Sequence, residues 1–217
     1  MNARVRTAVI GGVLLVAAVL VGASLAQRGM GGAPGAGYGN GYGMMGQGPG
    51  GYAAQTLDWN AARAMIQAGA QGATVDTAAN TVTYSGSRVT MNVIAVQPDR
   101  PDTTFEIAGL VDPTVMIPRG ATVTLNLVNM DYGADMPHGV VITRFPPPYP
   151  YMAMPMMGGG IGYGIPPLTA RSDENLQTAS YAVGAMQFRA STPGTYYYVC
   201  QVPGHAQDGM YGKLVVE

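Results

Sequence analysis

The chain has 217 residues and a formal net charge of −1 at pH 7, and only 11% of its residues are charged. A nucleic-acid-binding protein would carry a basic stripe, so this composition excludes a nucleic-acid partner. The sequence contains one cysteine and two histidines. One cysteine excludes an intrachain disulfide, and two histidines exclude any site that needs three of them.

Residues 1–28 predict a signal peptide or an N-terminal membrane anchor. Arg4 and Arg6 precede an uncharged, apolar stretch at residues 7–27, and small residues before Gln27 suit cleavage. The stretch approaches the roughly 20 residues that span a bilayer, which favours a membrane tether through residues 7–27. With or without cleavage, we expect the rest of the chain to be periplasmic or otherwise extracytoplasmic.

Residues 29–55 predict a flexible linker, because they consist largely of glycine with tyrosine, methionine and proline. Such a segment buries too little apolar surface to offset the entropy of ordering. Its methionines, among them Met30 and Met44, also suit weak Cu(I) binding, although a spacer is the favoured interpretation. The folded domain is predicted at residues 56–217.

That domain begins with one predicted helix, which has Asp58 as its N-cap and Gly69 as its stop. Alternating, β-branched segments then predict strands at residues 81–86, 88–96, 104–109, 114–118, 121–130, 139–143, 185–191, 194–200 and 212–217. The pattern favours an all-β sandwich of two packed antiparallel sheets with a short N-terminal helix. Residues 145–175 are rich in proline and glycine, so they are predicted to form a long loop rather than a strand. This loop either shields the metal and docks a partner or is a passive cover over the end of the sandwich.

Four residues near the strand ends suit a copper ion. The cysteine, Cys200, is followed by His205 and Met210 at Cys-x4-His-x4-Met spacing, and His138 begins an earlier strand. Each residue alone is more often structural, as a buried thiol, a hydrogen-bonded ring or core filler. Together, two imidazoles, a thiolate and a weak axial thioether are the ligand set of blue copper centres.

The segment "GTYYYVCQVPGHAQDGMYGKLVVE" resembles the copper loop of the rusticyanin-like blue copper proteins, members of the cupredoxin family. The related sulfocyanins and auracyanins share its spacing. The resemblance continues upstream through "NTVTYSGSRV", "PRGATVTLNLVN" and "FPPPYPYMAMP". It implies a cupredoxin-type Greek-key β-sandwich and one type 1 copper ion, with His138, Cys200 and His205 in the copper plane and Met210 as axial ligand.

One position departs from that family pattern. Rusticyanin-like proteins usually have a serine after the first histidine, and other cupredoxins an asparagine, whereas this chain has Gly139. That side chain normally supports the cysteine loop, so we expect Gly139→Ser to raise the reduction potential or stiffen the site. Pro203, Met152 and Met154 are further candidates for shielding the metal or docking a partner.

These observations favour a protein that carries single electrons between redox partners such as a c-type cytochrome or a terminal oxidase, and that is not an enzyme. The resemblance implies a respiratory chain. A copper carrier or storage protein that uses the methionine-rich segments is the alternative. A copper oxidase or nitrite reductase would need further histidines, and a Cys–His hydrolase would leave Met210 without a role.

Overall fold

The computed structural model describes residues 55–134, 136–153 and 164–217. The segments predicted as signal or anchor and as linker lie outside these residues, except that Gln55 already begins the first strand. Within the described part, no helix is long and apolar enough to cross a membrane.

The described residues form two mixed β-sheets and one helix. In chain order, the elements are β1 Gln55–Leu57, α1 Trp59–Ala68, β2 Ala73–Asp76, β3 Thr81–Tyr84, β4 Arg88–Ala95, β5 Phe105–Ile107, β6 Leu110–Val111, β7 Thr114–Ile117, β8 Thr122–Asn129, β9 His138–Thr143, β10 Gly164–Leu168, β11 Tyr181–Arg189, β12 Gly194–Val199 and β13 Tyr211–Val216. The six-stranded sheet has the order β1-β11-β8-β4-β5-β6 and the seven-stranded sheet has the order β10-β9-β12-β13-β7-β3-β2.

The sheets are mixed rather than antiparallel, which corrects the prediction from the sequence. Strands β4 and β8 pair in parallel, and β7 pairs in parallel with both β3 and β13. Parallel pairs arise because the chain crosses between the sheets instead of returning through hairpins. The sandwich itself and its short N-terminal helix are confirmed, and the core lies between the two sheets.

Helix α1 covers the outer face of the six-stranded sheet. Asp58 accepts a hydrogen bond from the amide of Ala61 at 2.8 Å, as expected of an N-cap. The buried Ala62 packs against Ile94 and Val128 of the sheet, so one small side chain lets the helix approach closely.

Strand β10 lies inside the segment that the sequence predicted as a loop. It pairs with β9 at the edge of its sheet, with a register irregularity between Ile165 and Leu168. Proline lacks the amide hydrogen for a ladder, but an edge strand needs hydrogen bonds on one side only. Pro166 and Pro167 are accordingly exposed, whereas Ile165 and Leu168 are buried.

Candidate metal centre

The three strongest candidate ligands converge at one end of the sandwich. His138 begins β9, Cys200 follows β12, and His205 lies in the turn that leads to β13. Strands β9 and β12 are antiparallel neighbours, so the start of one and the end of the other lie side by side. The topology therefore brings together residues that are 62 positions apart in the chain.

The ligand atoms are spaced as a metal would require. Nδ1 of His138 lies 4.0 Å from Sγ of Cys200, and Nδ1 of His205 lies 3.6 Å from that Sγ. The two Nδ1 atoms are 3.2 Å apart. A trigonal metal with bonds of about 2.0 Å to nitrogen and about 2.3 Å to sulfur would give edges of about 3.5 and 3.7 Å. The cluster fits one metal ion.

Burial and hydrogen bonding set the protonation of these groups. Burial raises the pKa of the Cys200 thiol to about 11, although the backbone amides of Val202 and Gly139 donate to Sγ and oppose that rise. Burial also lowers the pKa of both histidines, and the neighbouring ring lowers that of His205 further. Neutral imidazoles are ready to act as ligands, and a bound cation would favour the thiolate.

Met210 is held next to two of these ligands. Its amide donates to the carbonyl of His205 at 2.9 Å, and its carbonyl accepts from the amide of Cys200 at 3.0 Å. The side chain is fully buried in the same core cluster as Cys200. These contacts are consistent with the axial role that the sequence predicts.

The turn between Cys200 and Met210 depends on two glycines. Gly204 has φ +86° and Gly209 has φ +110°, a conformation that side chains rarely adopt. The amide of Gly204 donates to the carbonyl of Tyr151 at 2.7 Å, which ties this turn to the segment that follows β9. The half-buried His205 therefore sits on a turn that is hydrogen-bonded to this segment.

The candidate residues for shielding and docking have different surroundings. Pro203 is exposed on the turn, and Met152 is 49% exposed beside Tyr151. Gly139 is buried and its amide faces Cys200 Sγ. Met154 lies outside the described residues.

The space beside Gly139 is already filled. A Cβ atom there would lie 2.9 Å from the carbonyl oxygen of Ile165, 3.0 Å from the nitrogen of Pro167 and 3.0 Å from Nε2 of Gln201. Two of these neighbours are backbone atoms of β10, so they cannot simply swing away. The structure thus opposes the expectation that a serine would support the site.

Sequence reasoning missed one group that contacts a ligand. Oδ2 of Asp131 lies 2.8 Å from Nε2 of His138, on the side of the ring away from Cys200. The sequence feature that could have indicated this contact is an acidic residue in the short connection between a buried strand and the first histidine. That connection lies at the end of the sheet where the other ligands were expected.

Comparisons with known proteins agree with this site. A family model described as the sulfocyanin (SoxE) domain matches residues 77–217. Rusticyanin from Acidithiobacillus ferrooxidans is 39% identical over 139 residues, which are 64% of this chain and 68% of that protein. Rusticyanin from Acidithiobacillus ferridurans is 38% identical over the same shares of both chains.

Solved structures give the same result. A structure of rusticyanin from Thiobacillus ferrooxidans has a TM-score of 0.64 and 34% identity, covering 76% of this chain and 97% of that one. A structure of reduced rusticyanin has a TM-score of 0.65 and 33% identity, covering 76% and 100%. The chain therefore belongs to the rusticyanin-like cupredoxins, a family of blue copper electron carriers, and His138, Cys200 and His205 form its candidate copper site.

Proposed function

We propose that this protein carries single electrons between periplasmic redox partners in a respiratory chain, as a type 1 copper protein with Met210 as the axial ligand. The observation that carries the proposal is the convergence of His138 Nδ1, Cys200 Sγ and His205 Nδ1, which lie between 3.2 and 4.0 Å from one another. Copper bound there supplies a one-electron couple, Cu(I)/Cu(II).

The residues around the cluster suit electron transfer because they hold the ligands in place without a bound metal. His138 is 1% exposed, and Cys200 and Met210 are fully buried, so water is kept from the cluster. Two backbone amides point at the sulfur and fix its position. Ligands that move little between two oxidation states keep electron exchange fast.

His205 is the proposed point of electron entry and exit. Its Nδ1 faces the cluster while the ring is only half-buried, so its opposite edge is the part nearest to solvent. The exposed Tyr151 and Met152 lie on one side of its turn. Val202, in the same turn, and Met136 line a groove. An apolar surface of this kind suits brief encounters with a redox partner.

The first experiment is a visible absorption spectrum after addition of Cu(II), with Cys200→Ser as the matched control. We expect an intense blue thiolate-to-copper band that the variant lacks. A colourless protein that binds Cu(I) and releases it readily would refute electron transfer and favour a copper carrier.

The proposed partners are a c-type cytochrome or a terminal oxidase. Stopped-flow mixing of the reduced copper protein with an oxidised soluble c-type cytochrome measures transfer directly. Second-order oxidation that disappears in Cys200→Ser is the expected result, and no reaction with either partner class would exclude these assignments.

The proposed location outside the cytoplasmic membrane depends on residues 1–28. Cell fractionation with mass determination of the mature chain tests it. A protein recovered with an intact N-terminus in the membrane fraction would support the tether through residues 7–27, whereas a processed protein in the periplasm would support cleavage. Recovery in the cytoplasm would contradict both.

A further inference from the structure

The geometry points to Asp131 as a positioning residue that orients the copper ligand His138 and lowers the reduction potential of the site, an inference that rests on the proposed function. Asp131 lies between β8 and β9, seven positions before the histidine. Copper would bind the opposite side of the ring, so Asp131 acts through His138.

The contact between the two side chains selects one form of the ring. Nε2 of His138 lies 2.8 Å from Oδ2 of Asp131. A carboxylate only accepts hydrogen bonds, so Nε2 carries the hydrogen. The lone pair of a neutral ring is then on Nδ1, which faces Cys200 and His205. Asp131 thereby presents the nitrogen that a metal needs.

The carboxylate is itself held in place. Its Oδ1 accepts from the amide of Tyr132 at 2.7 Å, and the amide of Asp131 donates to Oδ1 of Asn129 at 3.0 Å. The carbonyl of Asp131 accepts from the amide of Arg171 at 2.8 Å. These three hydrogen bonds hold Asp131 in the position from which its Oδ2 contacts Nε2 of His138.

Asn129 links the two ends of the connection between β8 and β9. This side chain is fully buried, and its Nδ2 donates to the carbonyls of Met136 at 3.0 Å and Leu168 at 2.9 Å. Leu168 is the β10 partner of His138 in the sheet register. The same network therefore locates Asp131 and the backbone of the ligand that it contacts.

The negative charge of Asp131 favours the oxidised site. Cu(II) carries one more positive charge than Cu(I), so a nearby carboxylate stabilises it more. The side chain of Asp131 is only 15% exposed, which limits screening by water and salt. The amide of an asparagine could accept the same hydrogen bond without that charge.

Asp102 offers a matched control. Asp102 is exposed and makes no hydrogen bond to the ring in the described structure, and its charge raises the pKa of His138 less than that of Asp131 does. Asp102→Asn removes the same charge as Asp131→Asn but leaves the contact to His138 intact. Asp131→Ala removes both the charge and the acceptor.

The test combines voltammetry of the copper-loaded full chain with ¹⁵N NMR of its histidines in the copper-free state. Asp131→Asn should keep the blue band and raise the potential by about 59 mV, a tenfold change in the electron-binding constant. Asp102→Asn should shift it clearly less. Asp131→Ala should lose about 10- to 100-fold in copper affinity, and its copper-free His138 should gain the form protonated at Nδ1.

Equal potentials for Asp131→Asn and Asp102→Asn, or an unchanged His138 form in Asp131→Ala, would overturn the inference. If Asp131→Ala does not fold, the potential of Asp131→Asn decides. A wild-type protein without a blue band would refute the proposed function instead, while the copper-free NMR comparison would still decide the role of Asp131 in orienting the ring.

Discussion

Replacing Gly139 by serine should destabilise the protein rather than stiffen its copper site. The added Cβ would approach the Ile165 carbonyl oxygen to 2.9 Å and the Pro167 nitrogen to 3.0 Å. Both atoms belong to the backbone of β10, which is hydrogen-bonded to β9. The two strands would have to separate locally to admit the side chain.

The size of the loss follows from overpacking. Extra carbon atoms in a filled interior typically cost about 1–3 kcal/mol. In a domain of this size each kcal/mol lowers Tm by about 2–4 °C, so we expect a fall of roughly 2–12 °C. Gln201 Nε2 is the third close neighbour, at 3.0 Å, and it is the one that can rotate away.

The copper site should respond in the same variant. The amide of Gly139 donates to Sγ of Cys200, and moving β9 would weaken that hydrogen bond. A sulfur with fewer donors gives more electron density to Cu(II). The reduction potential should therefore fall, which is opposite to the rise expected from the sequence.

Thermal unfolding of the copper-free protein and voltammetry of the copper-loaded protein measure the two effects. Gly139→Ala is the matched control, because it adds the same Cβ without the hydroxyl. Both variants should lose stability. A serine variant that melts at or above the wild-type temperature, while the alanine variant melts below it, would refute this reasoning and show that the hydroxyl finds a useful partner.

Three further predictions concern other parts of the domain. Burial raises the pKa of Asp112 to about 7, so the folded protein holds a proton on this carboxyl that the unfolded chain releases above about pH 4. The protonated carboxyl therefore contributes up to about 4 kcal/mol to the free energy of unfolding below about pH 4, and this contribution is lost as the pH rises through 7. Asp112→Asn keeps an acceptor for the Phe105 amide, so denaturant unfolding should find it more stable than wild type at pH 8 and equal at pH 4. A difference independent of pH would contradict this. Met152→Lys should slow electron exchange with a c-type cytochrome but leave the potential unchanged, whereas Gln67→Lys on α1 should alter neither; equal rates for both variants would remove Met152 from the docking surface. Met210→Gln replaces the soft sulfur by oxygen and should lower the potential, and an unchanged voltammogram would exclude Met210 as a ligand.

The sequence predicted those elements best in which side chains alternate between the core and the surface. Strand β8 has this pattern along most of its length, and its predicted and observed bounds differ by one residue at each end. Strand β11 begins at Tyr181, four residues before the predicted start, because Tyr181–Gly184 is buried on both faces and shows no alternation. Helix α1 was predicted correctly because its N-cap lies next to it in sequence.

Elements and contacts that depend on distant parts of the chain were not predictable in this way. Strand β10 contains two prolines, and only its place at the edge of the sheet makes them acceptable. The obstruction at Gly139 likewise comes from β10 and Gln201, not from its neighbours in sequence. The pairing of Asp131 with His138 depends on the buried Asn129, which hydrogen-bonds to the backbone of Asp131 and of Met136.

The cluster of His138, Cys200 and His205 was predictable because the residue types and their spacing limit the chemistry. What the sequence could not give is the reason that the ligands stay in place. Cys200 is held by amides from two different segments, Val202 in its own turn and Gly139 in β9. His138 is held through Asp131 by the connection that precedes it. Since His138 and Cys200 are fixed by protein contacts that do not involve a metal, the cluster can keep its spacing in both oxidation states.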